Sequence, residues 1–180
     1  MKRRILSTLV IGIATAMVGA SSLMAHDDDD RWRDRDGKFV ARAELVGFQE
    51  VPAVSTTALG RFRALVDTKA NTITFRLTYD ALEGTVQQAH VHFGQMSVNG
   101  GVSFFLCSNL GNGPAGTQAC PAPPAEVTGV IDATLVVGPA GQGIEAGAFA
   151  EIVAAIKDGT AYANVHSTKW PGGEIRGQLR

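Results

Sequence analysis

TITFRLTY (72–79) is the stretch whose reading decides the fold. Thr72, Thr74, Arg76 and Thr78 alternate with Ile73, Phe75, Leu77 and Tyr79. A period of two puts the polar side chains on one face of a strand and the apolar ones on the other. Just upstream, Asp67-Thr68-Lys69-Ala70-Asn71 is turn chemistry. Before it, RFRALV (61–66) sets Arg61 and Arg63 against Phe62, Ala64 and Val66. Together these segments predict an antiparallel hairpin.

Outward from the hairpin the pattern repeats. Residues 39–45, 86–93, 102–107, 127–137, 162–167 and 174–179 read as further strands, and Gly or Pro punctuates every interval. The chain has 180 residues, 21 of them Gly and only 7% aromatic, which suits many turns. One segment departs from the period. Phe149, Ile152, Val153 and Ile156 fall at i, i+3, i+4 and i+7, a helix of about three turns. Lys157 lies in its last turn and Gly159 is its stop signal. The expected fold is therefore all-β, an antiparallel Greek-key β-sandwich or barrel with one short covering helix.

The first residues read as an address. Lys2, Arg3 and Arg4 precede an apolar run over 5–20, and small residues continue to Ala25. This is the pattern of a secretory signal peptide over 1–25, cleaved after Ala20 or Ala25; a retained membrane anchor is the alternative. Small residues at the end of the run favour cleavage. Residues 26–38 are almost all charged and read as a disordered tail, so one domain is expected over 39–180. No other segment is apolar enough to span a membrane. Loss of the leader removes three cations and turns a formal charge of -1 into -4. That balance gives no support to nucleic-acid binding. The expected location is periplasmic or secreted. In such an oxidising compartment Cys107 and Cys120 should pair and close the loop SNLGNGPAGTQA, which contributes on the order of 3 kcal/mol.

The histidines carry the chemistry. His90 and His92 stand two apart in QAHVHFG (88–94), so both project from one face about 6.6 Å apart, with Val91 on the other. His166 lies in YANVHS (162–167), sharing a face with Tyr162 and Asn164. If the two strands are neighbours, three imidazoles meet. Neutral imidazole suits copper, and also zinc. His90, His92 and His166 are the candidate metal ligands, and Met96 is a candidate soft addition. The alternative is that the histidines are structural, hydrogen bonding across the β-domain. Arg176, in WPGGEIRGQL (170–179), sits close in sequence to His166. It reads either as part of a salt-bridged edge strand with Glu174 or as an anion-guiding residue beside the histidines. No catalytic set stands out: G-x-S-x-G is absent, and no Gly-rich phosphate loop follows a strand.

Several motifs in order resemble one family. LVGFQEVPAV (45–54), HVHFG (90–94), YANVHS (162–167) and PGGEIRGQL (171–179) resemble the CHRD domain, first named in chordin, over about residues 39–180. The resemblance implies an exported stand-alone β-domain. In chordin such modules belong to an extracellular protein that binds growth factors. The histidine pattern is also similar to that of copper/zinc superoxide dismutase. That likeness matches His90, His92 and His166 to three copper ligands and Arg176 to a substrate-guiding Arg; it implies an immunoglobulin- or dismutase-like sandwich. No histidine matches the bridging ligand, and the zinc-loop ligands are missing. Three functions follow as expectations. The first is an extracytoplasmic copper (or other transition-metal) binder. The second is a non-catalytic interaction module whose protein partner the sequence does not identify. The third is a dismutase-like redox enzyme.

Overall fold

The computed structural model describes residues 36–180. The segment read as a signal peptide and most of the segment read as a charged tail lie outside the described residues.

Among the described residues eight strands form one antiparallel sheet: β1 Lys38–Val46, β2 Leu59–Asp67, β3 Thr72–Asp80, β4 Val86–Phe93, β5 Gly101–Ser108, β6 Ala125–Ile131, β7 Ala161–Ser167 and β8 Ile175–Gln178. Their order is β5-β4-β7-β8-β1-β2-β3-β6, so β1 to β3 form a meander and the chain then crosses to the far side for β4. The sheet curls until its edges, β5 and β6, approach each other. It is a nearly closed barrel of the expected all-β class.

The hairpin forms where the sequence places it. Ile73, Phe75, Leu77 and Tyr79 are buried together with Phe62, Ala64 and Val66. Asp67 Oδ1 accepts the backbone N–H of Lys69 and of Ala70, and Asn71 takes the left-handed conformation at φ 53. Asparagine tolerates that region better than most residues. The helix α1, Phe149–Lys157, buries Phe149, Ile152, Val153 and Ile156 in the same core as the strands. Gly159 follows it at φ +72. Among the described residues no helix is long and apolar enough to cross a membrane.

Two features differ from expectation. The strand read over 127–137 stops at Ile131. Asp132 Oδ1 accepts from both the N–H and the hydroxyl of Thr134 and starts a 3-10 turn over Ala133–Leu135. A short polar side chain bonding to nearby backbone offers the chain an alternative to the ladder. Second, β8 is no edge strand: it lies between β7 and β1.

The seam between β5 and β6 is closed by the loop that the cysteines bracket. Cys107 and Cys120 form a disulfide with Cα atoms 5.0 Å apart. Inside the loop, Gln118 Nε2 donates to Leu106 O on β5 (3.2 Å) and to Thr128 O on β6 (2.9 Å). One amide thus occupies acceptors on both free edges. Asn109 Nδ2 donates to Val86 O and Cys120 O, locking the loop to β4.

Replacing Cys107 and Cys120 together by Ser should lower stability by about 3 kcal/mol, the value for a closed loop of this size, read as a shift of the denaturant midpoint. Gln118→Ala should cost about 1–3 kcal/mol, because it strands two edge carbonyls. An unchanged midpoint in both variants would show that the seam does not depend on this loop.

Candidate metal centre

β4 and β7 are neighbours, which is the condition the three histidines require. Their register sets His90 opposite Asn164, His92 opposite Tyr162 and Gln88 opposite His166. His166 is therefore diagonal to His90 on one face, within reach of a ring. The opposite face of both strands carries Ala89, Val91, Ala163 and Val165, all fully buried in the core. The β4–β5 register slips between Ala89 and His90 and again between Val91 and His92. Such irregularities re-aim side chains, and here each falls immediately before a histidine of the pair.

All three imidazoles are buried, and each offers a ring nitrogen within 4.8 Å of the others. His92 Nδ1 lies 3.0 Å from Gly100 O, and His166 Nδ1 lies 2.9 Å from Pro171 O. A carbonyl only accepts, so both Nδ1 atoms carry the proton and both Nε2 atoms keep a lone pair. Backbone carbonyls behind the ring are a common way to fix the tautomer of a metal-binding histidine. His90 Nδ1 approaches His166 Nε2 at 3.2 Å. Without an ion this is a hydrogen bond from His90. The separation is also close to the ~3.3 Å between two nitrogens that each lie about 2.0–2.1 Å from one tetrahedral ion. Among the described residues, His90 Nε2 and His92 Nε2 are buried with no hydrogen-bond partner. Unpartnered buried nitrogens are costly, and two of them in one cluster fit a site built to receive a cation.

Electrostatics keep the rings neutral. Burial pushes the His90 imidazole down to about 2, helped by the nearby His166 and His92. Burial lowers His92 to about 4, against the hydrogen bond to Gly100. Burial also lowers His166, opposed by its bond to Pro171. A neutral imidazole is the form that donates to a metal.

Around the rings lies a polar layer; the sequence reading placed Tyr162 and Asn164 on the face of His166 and named Arg176, but assigned no site role to Tyr162, Asn164 or Glu50. The Tyr162 ring stacks parallel to His92 at 4.7 Å. The Arg176 guanidinium sits 3.4 Å from the Tyr162 centroid. Arg176 is only 1% exposed and donates to Val98 O, Gln95 O and Asn99 Oδ1, holding the 94–100 loop over the site. Asn164 donates to Glu50 Oε1 at 2.5 Å, and Glu50 is buried. Desolvation raises Glu50 to about 7 despite the charge of Arg176 and the bond from Asn164. Gly173 admits that carboxylate: a Cβ there would stand 2.7 Å from both Glu50 oxygens, and its φ is +131. Glu174 makes no ion pair with Arg176 among the described residues. Its Oε1 instead accepts from Thr56 Oγ1 and the Glu83 N–H, joining two loops. Met96 lies half exposed on the 94–100 loop, lining an outer groove. The signal for Glu50 and Gly173 was their place in GFQEVP and PGGEIR, two motifs of the family resemblance; spacing alone gave no hint of either.

Comparison with known proteins agrees with the motifs. The family model described as CHRD domain matches residues 41–179. No curated protein and no solved structure matches the chain.

The buried groups set a pH dependence for the metal-free protein. Each histidine is depressed in the fold, so the unfolded chain binds more protons below about pH 6.5. Their contribution is complete above that pH and is lost as pH falls. Glu50 is raised, so its contribution has the opposite sign and is lost as pH rises from about 4.5 to 7. Three histidines outweigh one glutamate. Thermal stability should therefore fall on acidification from pH 7 to 5, and Glu50→Gln should steepen the fall. A flat or inverted profile would contradict the buried neutral rings.

Proposed function

The chain belongs to the CHRD domain family, and from that premise we propose that it is an extracytoplasmic protein that binds a transition-metal ion, copper in the first place, through His90, His92 and His166. The observation that carries this reading is the convergence of three neutral imidazoles, two of them buttressed by backbone carbonyls, with two unpartnered buried nitrogens. An all-imidazole donor set suits copper or zinc better than magnesium or calcium, which take oxygen ligands. His92 and His166 would bind through Nε2. His90 is already neutral, so it would join them as an imidazole with no net proton released. Tyr162 and Arg176 hold the His92 side of the cluster. A bound copper would supply an electron-accepting centre; the residues of this chain supply rigidity and exclusion of water.

Location outside the cytoplasm is part of the same proposal. It is supported by the leader-like start of the chain and by the Cys107–Cys120 disulfide, which persists most readily in oxidising compartments.

A second reading has its own observation. The 3.2 Å contact between His90 and His166 is a hydrogen bond that joins β4 to β7 without any ion, as a non-catalytic interaction module with structural histidines would use. The two readings separate in titration calorimetry of the metal-free protein with Cu(II) and Zn(II). Metal binding predicts one ion per chain. It also predicts at least a hundredfold weaker binding in each of His90→Ala, His92→Ala and His166→Ala, with a thermal midpoint that rises on loading. Binding that survives all three substitutions, or none in the parent, would leave the structural reading.

A further inference from the structure

Across the meander from the histidines, the polar face of the sheet carries an unusual row. Arg42 on β1 is the direct partner of Arg63 on β2, and Arg63 is the direct partner of Arg76 on β3. The row extends one strand further. Arg42 N donates to Arg180 O at 2.7 Å, and Arg180 N donates to Arg42 O at 2.8 Å. That reciprocal exchange marks two residues directly opposite each other. Arg180, Arg42, Arg63 and Arg76 therefore stand in line on one face, spanning about 15 Å at the spacing of neighbouring strands.

Like charges directly opposite each other destabilise a sheet, and here three consecutive pairs are alike. Arg76 is relieved by Glu126 at 2.5 Å. Arg61, one row away, pairs with Glu44. Arg42, Arg63 and Arg180 are exposed and make no ion pair among the described residues, and all three line one groove of about 630 Å3. The fold itself has no use for this arrangement, since the other face of the same strands builds the core. Its natural complement is a short run of carboxylates.

Such a run exists in this chain. Residues 27–30 are four consecutive aspartates, and the described chain begins at Asp36, where Asp36 pairs with Lys69 beside the start of β1. From Asp36 back to Asp30 is six residues, a reach of up to about 20 Å. Arg42 lies four residues along β1 from Lys38, about 14 Å. Reach and charge thus both match. We propose that the row Arg180–Arg42–Arg63 is a docking surface for the aspartate run 27–30 of the same chain. The intervening Arg31, Arg33 and Arg35 carry the other sign, so the run alone is the complement. Arginine suits this use because its planar fork pairs carboxylates in bidentate fashion.

Trp32 sits two residues past the run and is one of only two tryptophans. The test uses the full chain, as the host processes it, with Trp170→Phe, so that Trp32 alone fluoresces. Its anisotropy should be high at 10 mM NaCl and fall by 500 mM, as screening shortens the range of the attraction. In that background, Arg42→Gln with Arg63→Gln should hold the anisotropy at its high-salt value throughout. Replacing Asp27, Asp28, Asp29 and Asp30 by Asn should do the same; this second change leaves the β-domain untouched and so cannot act by unfolding it. An anisotropy indifferent to both sets would overturn the proposal. So would a signal that the aspartate change abolishes and the arginine change does not. A salt-sensitive signal lost on tenfold dilution, with a dimer in sedimentation at low salt, would also overturn it and assign the surface to a second copy.

Discussion

β7 is buried along its whole length, all seven residues of it, and the rest of the structure is arranged around that constraint. One face of the strand meets the apolar core through Ala161, Ala163 and Val165. The other face carries Tyr162, Asn164 and His166, whose polar atoms cannot reach water. Each buried polar group must find a partner or destabilise the fold. Asn164 finds the Glu50 carboxyl, His166 finds the Pro171 carbonyl, and His92 on the neighbouring strand finds the Gly100 carbonyl. What remains unmatched among the rings is His90 Nε2 and His92 Nε2.

The same constraint explains the loops. The segment after β1 brings Glu50, the segment after β4 brings Gly100, and the turn before β8 brings Pro171 and Gly173. Each is pinned by side chains of the polar face. Arg176 alone binds three acceptors of the 94–100 loop, and Gln178 Nε2 donates to Gly94 O and Gly159 O. Cover and cluster are one hydrogen-bonded network, so loss of one member leaves others buried and unpaired. The outer face of β1 to β3 is the contrast. There the arginine row lies on the exposed face, where solvent screens the guanidiniums that no carboxylate meets.

Much of this was legible in the residues. TITFRLTY and RFRALV paired as their alternation required, because a half-buried strand must sort its side chains by face. Phe149, Ile152, Val153 and Ile156 formed the covering helix for the same reason at the helical period. His90 and His92 had to share a face, since a strand allows nothing else. The end of β6 was not legible, because the decision at Asp132 is made by one side chain against a ladder that apolar periodicity would continue. Glu50, Asn164 and Tyr162 were silent as site residues, for each gains its role from a partner more than 60 positions away. Arg176 was noticed, but its burial and its carbonyl partners follow from β8 lying inside the sheet.

By itself the sequence determined which face each residue of a strand would take, where the turns and the helix fall, and which two sulfurs were available to pair. These are local matters, set by backbone period and by the chemistry of near neighbours. Only the tertiary structure decided that β4 lies beside β7, that the register sets His166 diagonal to His90, and that loops close over the cluster until its nitrogens are neutral and dry. Those outcomes depend on strand order and on the desolvation that comes with it. No stretch of chain can express either before the sheet has closed.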